Sequence, residues 1–308
     1  MRTYACSSTR GVPTCDHHRS QHQPLLEVSH LAVSFTQYDR GLRRREVQAV
    51  ADMSLDVRAG EVVALVGASG AGKSLLGHAV LGLLPPNATE TGRVTWQGTD
   101  VDLAARRRLA GHGIALLPQA LSHLDPTATV GAQVRRAARL AGVPRRTRQV
   151  ALEAVVAQGL DPSVLRLHPH QLSGGMGRRV LTAIALMGDP ALVIADEPTP
   201  GLALESVTAV LQRLRDLADA GRAVLLITHE IAGALTVADR VVVVERGRTL
   251  EEAPVGAFTG DGSALSHPYS RALWQALPQN GFALPAARLL DAPVPAAAAL
   301  LEMADVAC

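Results

Sequence analysis

The sequence predicts an α/β fold built on strands covered on both faces, with a helical segment inserted among them. Two continuous apolar runs of strand length, Val62–Val66 and Leu192–Ala195, carry this reading. A strand with one solvated face would alternate apolar and polar residues instead. From Leu25 to about Glu252 strand-like and helix-like segments alternate, the order that a parallel sheet with crossovers needs. Further strand candidates are Leu26–Phe35, Val50–Val57, Arg93–Trp96, Gly113–Leu117, Val224–Ile227 and Arg240–Val244. Between Thr127 and Arg166 the pattern turns helical. Its arginines (Arg135, Arg136, Arg139, Arg145, Arg146 and Arg148) read as solvated helix faces, with acidic lipid or a membrane partner as the alternative. No internal repeat is visible.

A chain of 308 residues can hold one large domain with a full core, or one domain with a small appendage. Hydrophobic residues at 47% against 19% charged mark it as globular rather than disordered. A net charge of +2 gives no bulk electrostatic case for nucleic acid. No apolar run approaches the roughly 20 residues of a spanning helix. The N-terminus lacks an apolar core followed by a cleavage site, so the expectation is a soluble, cytosolic protein. Cys6, Cys15 and Cys308 lie near the chain ends and form no disulfide framework. Residues 1–24 are polar and aperiodic, as in a flexible tail. Cys15, Asp16, His17, His18 and His22 within it fit no zinc spacing and read as incidental.

Lys73 is the single lysine among 30 basic residues. A sequence that uses arginine everywhere else has kept lysine where arginine will not serve. The surrounding segment is Gly67-Ala68-Ser69-Gly70-Ala71-Gly72-Lys73-Ser74, between a buried-type strand and a helical pattern opening at Leu75. That is phosphate-binding-loop spacing in its proper setting. Its glycines let the backbone wrap phosphates with N–H groups pointing inward, and the helix adds its positive end. Lys73 places a compact ammonium on the outer phosphates, where a guanidinium fork would fit poorly. Ser74 offers a hydroxyl to Mg²⁺.

Two further segments narrow the chemistry. Pro190–Thr199 is an apolar strand ending in Asp196 and Glu197; Asp196 suits a Mg²⁺ shell and Glu197 is placed to polarise an attacking water. Leu172-Ser173-Gly174-Gly175-Met176 offers a hydroxyl and N–H groups at a helix start.

In this order the motifs resemble the ATP-binding-cassette family over about Leu25 to Glu252. The resemblance implies a P-loop ATPase core with an antiparallel β subdomain and a helical subdomain at about 120–180, the cassette ending near residue 255. It implies ATP bound by Gly67, Ala68, Ser69, Gly70, Ala71, Gly72, Lys73, Ser74, Leu75 and Gln119, with Mg²⁺ on Ser74, Gln119 and Asp196. Catalysis would fall to Glu197, His229 and Lys73. Gln119 resembles the Q-loop glutamine and His229 the switch histidine. Phe35, with Tyr38 as alternative, would stack on adenine. Ser173, Gly174 and Gly175 would form the signature loop gripping the nucleotide of a partner subunit.

Three segments resemble the dipeptide, oligopeptide and nickel importer subfamily: Leu121–Pro126, His168–Met176, and His267–Pro278 in a C-terminal extension at 256–308. This implies a second cassette subunit, a heterodimer before a homodimer, beneath two permeases at the cytoplasmic face of the membrane. An extracytoplasmic solute-binding protein would deliver peptides or metal chelates. Some members carry a cysteine set for an iron–sulfur cluster; Cys308 alone predicts none here. After Thr199 the chain reads Pro200-Gly201-Leu202-Ala203, so the D-loop aspartate of the family is replaced by Ala203, which implies an asymmetric dimer. A cassette ATPase of DNA repair or ribosomes, and a nucleotide-binding subunit without turnover, are the alternatives. If the P-loop reading holds, an amine-specific reagent will modify Lys73 and the N-terminus only, and saturating MgATP will protect Lys73. Labelling of Lys73 indifferent to nucleotide, read by peptide mapping, would remove the assignment.

Overall fold

In the computed structural model the described residues are 23–38, 44–143, 146–202 and 204–280. The strands are β1 (Leu26–Tyr38), β2 (Arg44–Val57), β3 (Val62–Val66), β4 (Ala88–Trp96), β5 (Thr99–Asp100), β6 (Ile114–Leu117), β7 (Leu192–Asp196), β8 (Ala223–Thr228), β9 (Arg240–Glu245) and β10 (Arg248–Pro254). The helices are α1 (Lys73–Val80), α2 (Leu103–Leu109), α3 (Val130–Leu140), α4 (Thr147–Ala157), α5 (Gly174–Ala185), α6 (Leu204–Asp219), α7 (Ile231–Leu235) and α8 (Pro268–Gln275). The sheet order is β5-β4-β1-β2-β10-β9-β3-β8-β7-β6. β9, β3, β8, β7 and β6 run parallel, while β1, β2, β4 and β5 form an antiparallel wing.

The continuous apolar runs follow from this layering. Alternate residues of one strand enter two different cores. Val63, Leu65, Ile194, Leu225, Ile227, Val242 and Val244 pack on one face with Leu76 and Val80 of α1. Val62, Ala64, Val66, Val193, Val224, Leu226, Val241 and Val243 pack on the other with Leu211 and Leu214 of α6, Ile231 of α7 and Trp274 of α8. Each large side chain so buried stabilises the fold by about 1.5–3 kcal/mol. A third core joins α3, α4 and α5 through Val130, Val134, Val155, Val164 and Val180. Thr129 caps α3 by accepting a hydrogen bond from the Ala132 N–H at 3.3 Å. Arg136, Arg139, Arg146 and Arg148 are exposed there; Arg145 lies outside the described residues.

All eight segments expected as strands correspond to strands: Val62–Val66 coincides with β3, and the other seven differ at one or both ends, with Gly113 lying just before β6. β10 was not expected, because its charged residues mask the apolar alternation. The structure satisfies those charges individually. Glu252 pairs with Arg240, and Glu251 caps the start of α8. One Glu251 oxygen accepts from the Ser266 N–H and hydroxyl, both at 2.6 Å, and the other from the His267 N–H at 3.1 Å. Burial works against this carboxylate, yet its hydrogen bonds, led by that from Ser266, bring it down to about 2. Trp274 of α8 is buried edge-on to Phe258, and its indole N–H donates to the Gly260 carbonyl at 3.0 Å. The histidine and cysteine set considered at 15–22 falls outside the described residues.

Arg240 ties three strands at one point. Its guanidinium reaches Glu61 at 2.5 Å, Asp56 at 3.1 Å and Glu252, and donates to the Asp56 carbonyl at 2.5 Å. The side chain is 10% exposed. Removing one member of such a cluster strands the other charges in a place poor in water. Arg240→Ala will therefore lower the unfolding free energy by about 3–5 kcal/mol, measured by chemical denaturation. A loss within the range of a surface ion pair, ~0–1 kcal/mol, would show that the cluster contributes no more than solvated charges.

Candidate nucleotide site

Backbone proximity dictates the loop between β3 and α1. A Cβ on Gly67 would lie 2.1 Å from the Val244 carbonyl oxygen, so only glycine lets the chain leave β3 against β9. Gly72 has φ +90°, and a Cβ there would meet the Ala49 oxygen and Val50 at 3.0 Å. The turn between β9 and β10 closes the other side, where the Gly247 N–H donates to the Ala71 carbonyl at 3.1 Å. Gly67 and Ala71 are buried, whereas Ala68, Ser69 and Gly70 are exposed. Leu75 packs partly buried against the first core.

Lys73 opens α1 and folds back into its own loop. Its Nζ donates to the Gly67 carbonyl at 2.9 Å and the Ala68 carbonyl at 3.1 Å. Burial lowers the amine from its usual range, and Glu197 and Asp196 oppose that. Ser74, next on the helix, donates its hydroxyl to Asp196 Oδ1 at 2.9 Å. Burial raises the Asp196 carboxyl, against the Ser74 hydrogen bond and the nearby His78. The set of a hydroxyl and a carboxylate, both hard oxygen donors, with the carboxylate buried and otherwise poorly compensated, fits Mg²⁺.

Glu197 follows at the end of β7 with φ +45°, a left-handed backbone that costs a non-glycine residue of order 1–3 kcal/mol. It is held there by its N–H, which donates to the Ile227 carbonyl at 2.9 Å. Its two carboxylate oxygens each lie 2.9 Å from His229 Nδ1, so that nitrogen carries the proton. The Thr228 hydroxyl approaches the same carboxylate at 3.5 Å. β7 and β8 are parallel neighbours, with Asp196 opposite Ile227, and this register delivers the acids and the histidine to one sheet end.

Lys73, Ser74, Asp196, Glu197 and His229 are thus brought together. Ser173, Gly174 and Gly175 are not: among the described residues no hydrogen bond links them to that group. Ser173 caps α5 by accepting from the Met176 N–H at 3.2 Å, and nothing lies within 4 Å of a Cβ on either glycine. That open helix start is available to an outside anion. Gln119 is exposed just after β6. Phe35 is half-buried against the first core with Val47 as its cross-strand partner, while Tyr38 is 63% exposed with the Arg44 guanidinium 5.8 Å from its ring centre. Ala203 lies outside the described residues.

Sequence reasoning missed three supporting residues. Arg178 of α5 donates to the Pro198 carbonyl at 2.7 Å and the Pro200 carbonyl at 2.5 Å, binding the start of α5 to the segment after Glu197. Its place beside the Ser-Gly-Gly run was visible, but its partners come from a separate stretch of chain. Glu230 accepts from the Thr199 hydroxyl at 3.3 Å. His78, one turn after Ser74, sits near Asp196; burial lowers its imidazole and His123 adds to that against Asp196.

Known proteins agree with this geometry. Residues 50–200 match the family model described as ABC transporter. The chain is 40% identical over 269 residues to the oligopeptide transport ATP-binding protein OppD of Mycobacterium bovis, a match covering 83% of this chain and 42% of that protein. The chain thus spans less than half the length of that relative. It is 35% identical over 283 residues to the dipeptide transport ATP-binding protein DppD of Escherichia coli, covering 87% of this chain and 82% of that one. A solved dimer of the ATP-binding cassette MJ0796, in a post-hydrolysis state bound to ADP and Pi, shares the fold with a TM-score of 0.64 at 24% identity, covering 75% of this chain and 98% of its own. A structure described as the ATP binding subunit of an ABC transporter aligns at a TM-score of 0.61 with 25% identity over 81% of this chain and 98% of its own. With the glycine-rich loop, the paired acids, the histidine and the open Ser-Gly-Gly helix start in the family's order, the chain belongs to the ABC transporter family of ATP-binding cassettes.

Proposed function

We propose that this chain hydrolyses MgATP and that the hydrolysis powers an importer of peptides. The observation that carries the reading is the convergence of Lys73, the Ser74–Asp196 pair and the His229-held Glu197 at one sheet end. The loop N–H groups and the N-terminus of α1 bind the phosphates. Lys73 exchanges two backbone carbonyls for outer phosphate oxygens, where its charge offsets the charge that develops on transfer. Ser74 and Asp196, with Gln119, would hold Mg²⁺, which supplies further charge neutralisation there. Glu197 polarises the attacking water, and the His229 Nδ1–H fixes its orientation. Phe35 is the aromatic proposed for adenine.

The open helix start at Ser173, Gly174 and Gly175 needs a phosphate from elsewhere, which supports a dimer in which each nucleotide lies between two subunits. We take the partner as a second, different cassette subunit, the pair resting beneath two permeases at the cytoplasmic face of the membrane, with a solute-binding protein outside. No helix among the described residues is long and apolar enough to cross a membrane, so the proposed attachment is peripheral. The names of the relatives, oligopeptide and dipeptide transport proteins, favour peptides over metal chelates. The cassette proper is proposed to span residues 25–255, with 1–24 a tail and 256–308 an extension.

Two measurements test this. In the assembled complex, Glu197→Gln will reduce ATP turnover by about 10²–10⁴-fold while nucleotide affinity stays close to wild type. Equal silence of both proteins would leave a subunit that binds without turnover. Mild-detergent extraction of the tagged chain from native membranes will recover two permeases and a second cassette subunit. Recovery with soluble nucleic-acid or ribosomal proteins alone would remove the transport reading.

A further inference from the structure

The stretch after Glu197 reads Pro198-Thr199-Pro200, and its two prolines carry no N–H. Two of its three residues therefore cannot be tied down by backbone donors of their own, and what holds them must come from elsewhere. We propose that Arg178 of α5 is a positioning residue for ATP hydrolysis: it clamps this stretch and so keeps Glu197 in its strained backbone conformation. The inference rests on the reading of Glu197 as the group that polarises the attacking water.

Three observations carry it. First, one guanidinium holds both proline carbonyls. Its two terminal nitrogens donate to Pro198 at 2.7 Å and to Pro200 at 2.5 Å, and among the described residues no carboxylate pairs with it. Second, Thr199, between the prolines, is tied to the opposite side. Its hydroxyl donates to Glu230 at 3.3 Å, the Glu230 N–H donates to the Thr228 hydroxyl at 3.0 Å, and that hydroxyl lies 3.5 Å from Glu197 Oε2. Both threonines are buried. The stretch is thus gripped between α5 and the residue that precedes α7, and the inner grip runs on to the Glu197 carboxylate. Third, Glu197 needs such a hold. Its φ of +45° is a backbone that a non-glycine residue keeps only where its surroundings over-determine it. On the strand side its N–H is fixed to Ile227. On the other side the chain enters Pro198, which Arg178 fixes.

The effect falls on the chemical step. Among the described residues Arg178 makes no hydrogen bond to the phosphate loop, Lys73 or Ser74, so MgATP binds without it. With the outer grip gone, Pro198 can shift, the Glu197 backbone relaxes and its carboxylate leaves the line of the water. Arg178 touches neither water nor phosphate and acts only through the stretch it holds.

Arg178→Met keeps the length of the side chain and removes both donors. In the assembled complex kcat for ATP will fall by about 10–10²-fold, the scale of a misplacement near 1 Å, while MgATP affinity of the full chain stays close to wild type. Arg178→Lys keeps the charge but gathers its donors on one nitrogen, and its kcat will lie between the two. Thr199→Val loosens the inner grip and will lower kcat in the same sense. Combined with Arg178→Met it will do less than the product of the single effects, because both act on one stretch. A role in helix packing alone would lower thermal stability and leave kcat per folded complex as in wild type. That result, or effects of the two substitutions that simply multiply, would overturn the proposal. Should Arg178→Met fold poorly, Arg178→Lys with Thr199→Val makes the same comparison. Failure of the underlying reading looks different: wild-type turnover would be indifferent to Glu197→Gln, and the clamp would have no water-polarising group to hold.

Discussion

Everything at the nucleotide site depends on one steric constraint, the approach of three backbone segments too close for side chains. β3 leaves the sheet at Gly67 against the Val244 carbonyl, Gly72 turns against Ala49, and Gly247 bridges β9 and β10 to both β2 and the loop. A Cβ on Gly247 would meet the Ala51 nitrogen at 2.8 Å and the Ala49 oxygen at 2.9 Å. These glycines are where the antiparallel wing meets the parallel sheet. The loop between β3 and α1 is thus built into the joint between the two halves of the fold, and its shape is inherited from sheet packing rather than from its own few residues.

Electrostatics is layered on that frame. Burying a carboxylate is costly unless compensated, and the site keeps Asp196 and Glu197 adjacent at a sheet end, near enough to favour the charged form of Lys73. Asp196 has a hydroxyl for a partner and Glu197 an imidazole N–H. Neither pairing neutralises the acids fully, and the remaining imbalance is what a divalent cation and a phosphate chain are suited to settle. The strained Glu197 backbone belongs to the same design, because a relaxed extended residue there would continue the strand and point its carboxylate elsewhere.

The central strands and the residues that converge at the candidate site were legible because each depends on local spacing. Val62–Val66 and Leu192–Ala195 announce a doubly covered sheet, and a glycine-rich turn followed by the chain's single lysine announces phosphate. What escaped depends on contacts between distant segments. β10 is a strand because Arg240, Ser266 and His267 absorb the charges of Glu251 and Glu252, partners that no local pattern reveals. Arg178 looked like a polar residue on a helix, and its two carbonyl partners lie 20 and 22 residues away.

Arg178 has a mechanical meaning in a pair of such chains. In the proposed dimer the start of α5 would face the nucleotide that a partner holds, while the Pro198–Pro200 segment continues from the acids proposed to serve the chain's own nucleotide. A single planar guanidinium fastens these two surfaces at 2.7 Å and 2.5 Å, so neither shifts without loading the other. In that arrangement each subunit would behave as a stiff lever with one arm in each proposed reaction centre. The two ATP molecules would sense one another through the interior of every chain, and alternation between them would not require a signal to cross the subunit interface.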